Sequence, residues 1–260
     1  MAAYFASDVH LRLDHPERGR RLARFVDRLD ADDTLTIVGD LCDFWLATRQ
    51  RDAGATSCAG LRALAAFHDR GSAITVLPGN HDIWSGSYYE QTFGARFLQE
   101  PLVVEASGLR VHLVHGHRLG ARKIWKKGME SHTFFEAFGA IPPPLANMLD
   151  ILLERSNERG LAESNRRHLA AYRRYAASIR GQADLLVLGH IHAPLDDPGT
   201  DPRMIILGGW HRRSSYLKID DASGATLIVE HDPPSGPAGE PVESRRAAAG
   251  LDTGPDRPVS

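Results

Sequence analysis

Apolar residues alternate between strand spacing and helix spacing along the first part of the chain. Short runs at residues 2–7, 34–38 and 73–77 are typical of buried strands. Helical spacing occurs between these runs, first at Leu22, Phe25, Val26 and Leu29 and then at Leu61, Leu64, Ala65 and His68. Further strands are predicted in the second half, at 102–105, 111–115, 184–188, 204–207, 216–219 and 226–229. This alternation predicts a layered α/β sandwich.

Residues 118–181 follow a different pattern. Two apolar stripes at helical spacing lie in this stretch, formed by Leu145, Met148, Leu149, Leu152 and Leu153 and by Leu169, Tyr172, Ala176 and Ile179. The stretch has twelve Lys and Arg against six Asp and Glu, although the whole chain has a net charge of -2. We therefore expect a basic helical lid, inserted between core segments 1–117 and 182–231. Residues 232–260 are rich in Pro, Gly, Ala and charge, so we expect a disordered tail.

Composition and charge exclude several classes of protein. A net charge of -2 over 260 residues argues against a general nucleic-acid binder. The two cysteines, Cys42 and Cys58, are too few for a disulfide scaffold and fit a reducing cytosol. The first residues lack the basic start and apolar run of a signal peptide, and no apolar stretch has the length of a transmembrane helix. We therefore expect a cytoplasmic protein that binds no nucleic acid.

Five short segments rich in Asp, Asn and His follow predicted strands. They are Asp8-Val-His10, Gly39-Asp40, Gly79-Asn80-His81-Asp82, His115-Gly-His117 and Gly189-His190-Ile-His192. Loops at strand ends are where open α/β sheets place their active sites. Carboxylate, amide and imidazole ligands together suit Mn, Fe or Zn better than calcium, which prefers oxygen ligands alone. Strand residues two apart point to the same side, so Asp8 and His10 should converge if the strand continues through them, as should His190 and His192.

The combination of these segments decides between two interpretations. One segment alone is more typical of a turn, or of a polar residue satisfied by hydrogen bonds, than of a metal site. All five in one chain favour a site for two divalent metal ions, with Asp40 as the natural bridge between them. Two neighbouring ions lower the pKa of a shared water and stabilise both ends of an in-line displacement at phosphorus. The sequence therefore predicts a phosphoesterase.

The order of the segments, D-x-H, G-D, G-N-H-D, H-G-H and G-H-x-H, resembles the calcineurin-like metallophosphoesterase superfamily. The resemblance implies a four-layer α/β/β/α sandwich. It also implies two sets of metal ligands, Asp8, His10, Asp40 and His192 for one ion and Asp40, Asn80, His115 and His190 for the other. His81 would contact the phosphoryl group and protonate the leaving oxygen, and Asp82 would orient it.

A narrower resemblance involves two further segments. Residues 39–45, Gly-Asp-Leu-Cys-Asp-Phe-Trp, are similar to the G-D-L-x-D-x-W of the UDP-2,3-diacylglucosamine pyrophosphohydrolases of lipid A synthesis, as are residues 207–211, Leu-Gly-Gly-Trp-His. Those enzymes have a helical lid where this chain has 118–181. The chain departs from them with His81 in place of Arg and with His117 in place of Asp. The resemblance implies a manganese-dependent hydrolase, with Fe or Zn as other possible metals, that contacts the inner face of the membrane.

Candidate substrate contacts form a weaker signal. Lys123, Lys126 and Lys127 begin the predicted lid and could hold a phosphate, and His117 follows a predicted metal ligand. Arg166 shares a helix face with Arg173 and Arg180 at seven-residue spacing, a pattern that is also typical of a solvated surface. Phe134, Phe135, Phe138 and Leu145 could line an acyl-chain channel or form the core of the insertion.

The sequence leaves four functions to be compared. The leading one is hydrolysis of UDP-2,3-diacylglucosamine to 2,3-diacylglucosamine 1-phosphate and UMP. A metallophosphoesterase for a soluble nucleotide or another phosphate ester is the first alternative. A non-catalytic scaffold on the same fold would usually have lost ligands, whereas this chain keeps all seven and His81. A nuclease would need a basic groove with exposed aromatic residues, and only the predicted insertion is basic.

Overall fold

The structure is a computed structural model that describes residues 1–43, 46, 49–81, 86–120, 137, 140–142, 145 and 161–231. In chain order its elements are β1 (Ala3–Ala6), α1 (Pro16–Val26), β2 (Thr34–Val38), α2 (Arg51–Ser57), α3 (Ala59–Asp69), β3 (Ala73–Leu77), α4 (Gly86–Phe93), β4 (Arg96–Phe97), β5 (Leu102–Ala106), β6 (Leu109–Val114), α5 (Leu161–Ser178), β7 (Leu185–Leu188), β8 (Leu195–Asp197), β9 (Arg203–Ile206), β10 (Arg213–Asp220) and β11 (Gly224–His231). Within these ranges, no helix has the length and apolar character needed to cross a membrane.

The first sheet has six strands in the order β11-β10-β1-β2-β3-β4. Strands β1, β2, β3 and β4 pair in parallel, while β10 and β11 extend the sheet in antiparallel fashion. Ala6 pairs with Ile37, and Ile37 pairs with Val76. Because of this register, the loops that follow β1, β2 and β3 emerge side by side at the carboxyl ends of the strands.

The second sheet has five strands in the order β5-β6-β7-β9-β8. The strands predicted at 102–105 and 111–115 are present as the antiparallel pair β5 and β6, which forms a hairpin with its turn at Ser107 and Gly108. The parallel strands β6 and β7 end together, since Val114 pairs with Leu188. The loops that follow them therefore also emerge side by side.

Three apolar clusters show how the layers stack. Alternate residues of β1 and β2 belong to different clusters, as the strand period requires, with Ile37 facing one side and Phe5 and Val38 the other. The first cluster lies between the first sheet and helices α1 and α3, where Leu22, Phe25, Leu61, Leu64 and Phe67 are buried. The second lies between the two sheets, and the third lies between the second sheet and α5. The order is helix, sheet, sheet, helix, which confirms the expected four-layer α/β/β/α sandwich.

Helix α5 supplies the fourth layer, although its residues fall within the segment expected to be an insertion. Tyr172, Ala176 and Ile179 are buried against Leu186, Leu188, Met204 and Ile206 of the second sheet. The second predicted stripe thus has its partners in the core, and we restrict the proposed insertion to 118–160. Most of that stretch, including Lys123, Lys126 and Lys127, lies outside the described residues, as does the tail 232–260.

Candidate metal centre

The loops after β1 and β2 are joined by backbone hydrogen bonds through the predicted ligands. Asp8 donates from its N–H to the carbonyl of Gly39, and His10 donates to the carbonyl of Asp40, both at 3.1 Å. Asp8, His10 and Asp40 have positive φ angles of 53°, 50° and 55°. The convergence of Asp8 and His10 does not come from strand pleating, because β1 ends at Ala6. The left-handed backbone nevertheless turns both side chains toward one point, since Oδ1 of Asp8 lies 3.9 Å from Nε2 of His10.

The second sheet contributes the loops that hold His115 and His190. The backbone N–H of His190 donates to both carboxylate oxygens of Asp8, at 3.1 and 2.9 Å, so the loop after β7 is bound to the loop after β1. The N–H of Gly189 donates to the carbonyl of His115 at 3.1 Å. The bonds to Asp8 connect the two sheets across the centre, and the bond between Gly189 and His115 joins the two loops of the second sheet.

Asp8, His10 and His192 form the first ligand group, with one ligand atom from each within 4.8 Å of the others. The Nε2 atoms of His10 and His192 are 3.2 Å apart, and Nε2 of His192 is 3.5 Å from Oδ1 of Asp8. Asp8 and His10 are buried, whereas His192 is partly exposed. Two imidazole nitrogens and a carboxylate that face one another are a set of donors that could hold a divalent cation.

Asp40, His115 and His190 form the second ligand group, within the same distance limit of 4.8 Å. The His115 ring is oriented by its Nδ1–H, which donates to the carbonyl of Val38 at 2.8 Å. Its other nitrogen, Nε2, therefore faces Asp40, whose Oδ2 is 3.3 Å away. Asp40 also forms a group with His10 and His81. This carboxylate is thus common to both halves of the centre, where the sequence places the bridging ligand.

The side chain of Asn80 bears on whether the residues of the centre fit a metal ion. Its Oδ1 atom is buried and has no hydrogen-bond partner among the described residues. A buried amide oxygen without a partner is costly, and a bound cation would satisfy it. Carboxylate, imidazole and amide donors together fit manganese, iron or zinc.

Burial and neighbouring charges shift the pKa values of several groups at the centre. Burial would raise the pKa of the Asp40 carboxyl, but the imidazoles of His115 and His81 outweigh it and hold this pKa well below its ordinary value. Burial would lower the pKa of His115, yet the Asp40 carboxylate raises it to about 10. Burial and neighbouring imidazoles lower the pKa of His10 and of His190 well below the ordinary value. Those two rings are therefore neutral, which is the form that binds metals.

His81 lies at the edge of this centre. Its backbone N–H donates to Oδ1 of Asp40 at 2.9 Å, and its ring centroid is 4.7 Å from that of His10. Asp82 lies outside the described residues, so its role in orienting His81 stays a prediction. The structure instead shows Asp43 beside His81, with Oδ2 of Asp43 3.8 Å from Nδ1 of the ring. Asp43 was not predicted as a functional residue, although it belongs to the Gly-Asp-Leu-Cys-Asp-Phe-Trp segment at 39–45.

The other predicted substrate contacts differ in their surroundings. His117 is buried, and its Nδ1 lies 3.7 Å from Oε1 of Glu100. The second oxygen of Glu100 accepts the backbone N–H of His115 at 2.7 Å, so Glu100 supports this ligand loop. Arg166 is exposed on α5.

Two further histidines border the ligand groups and were not predicted as site residues. The ring centroid of His211 lies 5.3 Å from that of His10 and 4.8 Å from that of His192. The ring centroid of His168, on α5, lies 4.9 Å from that of His190. His211 is the last residue of the 207–211 segment and could have been suspected from the sequence. His168 reaches the centre only because α5 packs on the second sheet.

Comparison with known proteins agrees with this geometry. The family model described as calcineurin-like phosphoesterase matches residues 1–194. The chain is 29% identical over 246 residues to the UDP-2,3-diacylglucosamine hydrolase of Stenotrophomonas maltophilia, with 87% of this chain and 98% of that protein covered. It is 30% identical over 231 residues to the UDP-2,3-diacylglucosamine hydrolase of Aeromonas salmonicida, with 84% and 89% covered.

The matched residues extend from the first motif to the last, and they include every predicted ligand from Asp8 to His192. The four-layer sandwich and the converging ligand groups are consistent with this match. The chain therefore belongs to the calcineurin-like phosphoesterase family and is a hydrolase that acts on phosphate ester or anhydride bonds.

Proposed function

We propose that this chain hydrolyses the diphosphate of UDP-2,3-diacylglucosamine and releases 2,3-diacylglucosamine 1-phosphate and UMP. The observation that supports a phosphoryl-transfer reaction most strongly is that Asp40 forms a ligand group with His115 and His190 and another with His10, which also belongs to the first ligand group. The choice of substrate is supported by the two hydrolases named above, whose similarity covers 87% and 84% of this chain.

The proposed metal ligands divide into two sets that share Asp40. The first ion would be held by Asp8, His10, Asp40 and His192, and the second by Asp40, Asn80, His115 and His190. We expect manganese at both positions, with iron and zinc as alternatives. When bound, two divalent ions lower the pKa of a water molecule and offset the negative charge of the phosphoryl oxygens.

His81 is proposed to supply the proton for the leaving phosphate oxygen. Its N–H bond to Asp40 fixes the residue next to the point where the ligand groups meet. Asp43 faces Nδ1 of the ring, so Nε2 is the nitrogen left to face the substrate. A positioned general acid of this kind contributes about 10²- to 10⁴-fold to the rate.

The acyl chains and the diphosphate need a surface beyond the metal centre. We propose that 118–160 is a lid for this purpose, because it begins three residues after His115. Within it, Lys123, Lys126 and Lys127 would bind phosphate, while Phe134, Phe135 and Phe138 would contact acyl chains at about 0.8 kcal/mol for each buried CH₂. Arg166 and His117 stay candidate substrate contacts. The same lysines at the start of the lid would also suit peripheral contact with anionic headgroups at the cytoplasmic face of the inner membrane.

The proposed function is tested by a side-by-side assay with manganese. The purified protein would be given UDP-2,3-diacylglucosamine, UDP-glucose and bis-p-nitrophenyl phosphate, and the products would be identified by mass spectrometry. We expect UMP and 2,3-diacylglucosamine 1-phosphate from the acylated substrate, at a kcat/KM far above that for UDP-glucose. The Asp40→Asn variant is the control and should be inactive on all three compounds.

A different ranking of substrates would redirect the assignment. If UDP-glucose or bis-p-nitrophenyl phosphate is cleaved as well as the acylated compound, a soluble nucleotide or another phosphate ester is the better substrate. The lid is tested in the same assay by replacing residues 121–160 with a Gly-Ser linker. This variant should retain activity on bis-p-nitrophenyl phosphate and lose it on the acylated compound, and an unchanged kcat/KM on both would refute a lid.

A further inference from the structure

Helix α5 is fixed to the loop that contains His190. The hydroxyl of Tyr172, a fully buried residue of this helix, donates a hydrogen bond of 3.2 Å to the carbonyl of Gly189, which precedes His190. Farther along the helix, the hydroxyl of Tyr175 lies 2.9 Å from Nε2 of His112 on β6. These two contacts define where the helix lies relative to the second ligand group.

His168 lies one helical turn before Tyr172, on the same face of α5. Its ring is half-buried, and it meets the ring of His190 at a centroid distance of 4.9 Å and an interplanar angle of 67°. Gly120, in the loop after β6, lies against this ring. A Cβ atom at position 120 would lie 2.6 Å from Cδ2 of His168, so only glycine leaves room for the imidazole there. The fold therefore accommodates His168 at the border of the second ligand group.

We propose that His168 donates a hydrogen bond to the phosphate of the diphosphate substrate that is not attacked, and that it thereby favours diphosphates over simple phosphodiesters. This inference rests on the proposed function. His81 bonds to Asp40, where the ligand groups meet, and so serves the attacked phosphoryl group. His168 borders His190 from outside the ligand groups. The proposal places the phosphate that is not attacked on this side of the centre. Since a neutral imidazole still has one N–H, the contact requires no particular protonation state.

Two substitutions of His168 distinguish a hydrogen bond to the phosphate from a role in positioning His190. His168→Phe keeps a ring against His190 and removes the N–H, whereas His168→Gln keeps an N–H donor without the ring. We expect His168→Phe to lower kcat/KM for UDP-2,3-diacylglucosamine by about 10- to 100-fold, the usual effect of losing a hydrogen bond to a charged group. Activity on bis-p-nitrophenyl phosphate and manganese affinity, measured calorimetrically without substrate, should stay unchanged. His168→Gln should restore most of the loss.

The control is Arg173→Gln, which removes an exposed ion pair between α5 and Asp197 of β8 and leaves the contacts that position α5 intact. This variant should behave as wild type on both substrates. If His168→Phe weakens manganese binding, or slows both substrates equally, His168 positions His190 and the proposal is overturned. Unchanged activity on both substrates overturns it as well. Should His168→Phe fail to fold by circular dichroism, His168→Ala replaces it with the same expectations. A wild-type protein that cleaves only bis-p-nitrophenyl phosphate refutes the proposed function itself, a result recognisable before any variant is made.

Discussion

Oδ2 of Asp43 lies 3.8 Å from Nδ1 of His81. The same oxygen lies 3.9 Å from Nδ1 of His10, so one carboxylate faces both a proposed metal ligand and the proposed general acid. Asp43 is buried, and its attraction for these rings is therefore screened less than that of a surface carboxylate. We infer that Asp43 orients both imidazoles, leaving Nε2 of each ring toward the centre.

Asp43→Asn removes this charge while it preserves the size of the side chain. We expect a loss of about 10- to 100-fold in kcat or in metal affinity, as is usual when a group that orients a metal ligand is removed. Steady-state kinetics and manganese titration would measure the two effects. Asp14→Asn is the matched control. Asp14 pairs with Arg12, and Arg12 lies 4.0 Å from Asp43, so both substitutions remove a carboxylate next to the same arginine. An Asp43→Asn variant as active as Asp14→Asn would contradict the orienting role.

His81→Ala should lower kcat by about 10² to 10⁴, the usual contribution of a general acid, with both metal ions still bound. The loss should be smaller for substrates with better leaving groups, because their leaving oxygen needs less protonation. Rates on a series of substituted aryl phosphodiesters measure this dependence. An equal loss across the series would show that His81 positions or stabilises the phosphoryl group and does not act as the acid.

Gly79→Ala tests how closely the loop after β3 approaches Asp40. A Cβ atom at position 79 would lie 1.9 Å from Oδ1 of Asp40 and 2.4 Å from its backbone nitrogen. We expect the variant to lose about 1–3 kcal/mol of stability through overpacking. Its manganese affinity should fall by more than about 10-fold, because Asp40 must move. Gly199→Ala is the control, since the nearest atom to its Cβ would be 3.4 Å away. Equal metal affinities in the two variants would contradict this geometry.

The titration of His112 should make the free energy of unfolding fall as the pH is lowered. Burial lowers the pKa of this ring below its ordinary value of 6.5, so the unfolded chain binds more protons as the pH falls below 6.5. The free energy of unfolding should therefore decrease from about pH 7.5 to about pH 5 more steeply in the wild type than in His112→Gln. Urea denaturation of both proteins at each pH gives this difference. Parallel curves would show that His112 has no part in the pH dependence.

The fold was largely predictable, because strand and helix periodicities are local properties of the sequence. The runs at 34–38 and 73–77 became β2 and β3, with the same bounds. Strands β4 and β8 have only two and three residues and were missed, since so short an element leaves no periodic signal. The assignment of α5 to an insertion differs from the structure for another reason, because an apolar helical stripe does not reveal which surface it packs against.

The residues of the centre were predictable where they lie in short motifs directly after strands. Asp40, His115 and His190 are far apart in sequence. The structure brings His115 and His190 together because β6 and β7 end side by side in the second sheet, and the bond from His115 to the carbonyl of Val38 joins them to the loop of Asp40 in the first sheet. Glu100 and His168 could not be found in this way, since they reach the centre only through packing between loops and layers. Their roles depend on distances that no local pattern encodes.

The central claim is that the ligand groups form a centre for two divalent ions with Asp40 between them. A crystal structure of the protein with manganese, with anomalous diffraction recorded for that metal, tests it most directly. We expect two anomalous peaks, both within coordinating distance of the Asp40 carboxylate, one beside His10 and His192 and the other beside His115 and His190. A single peak, or two peaks that do not share Asp40, in protein saturated with manganese would contradict the claim.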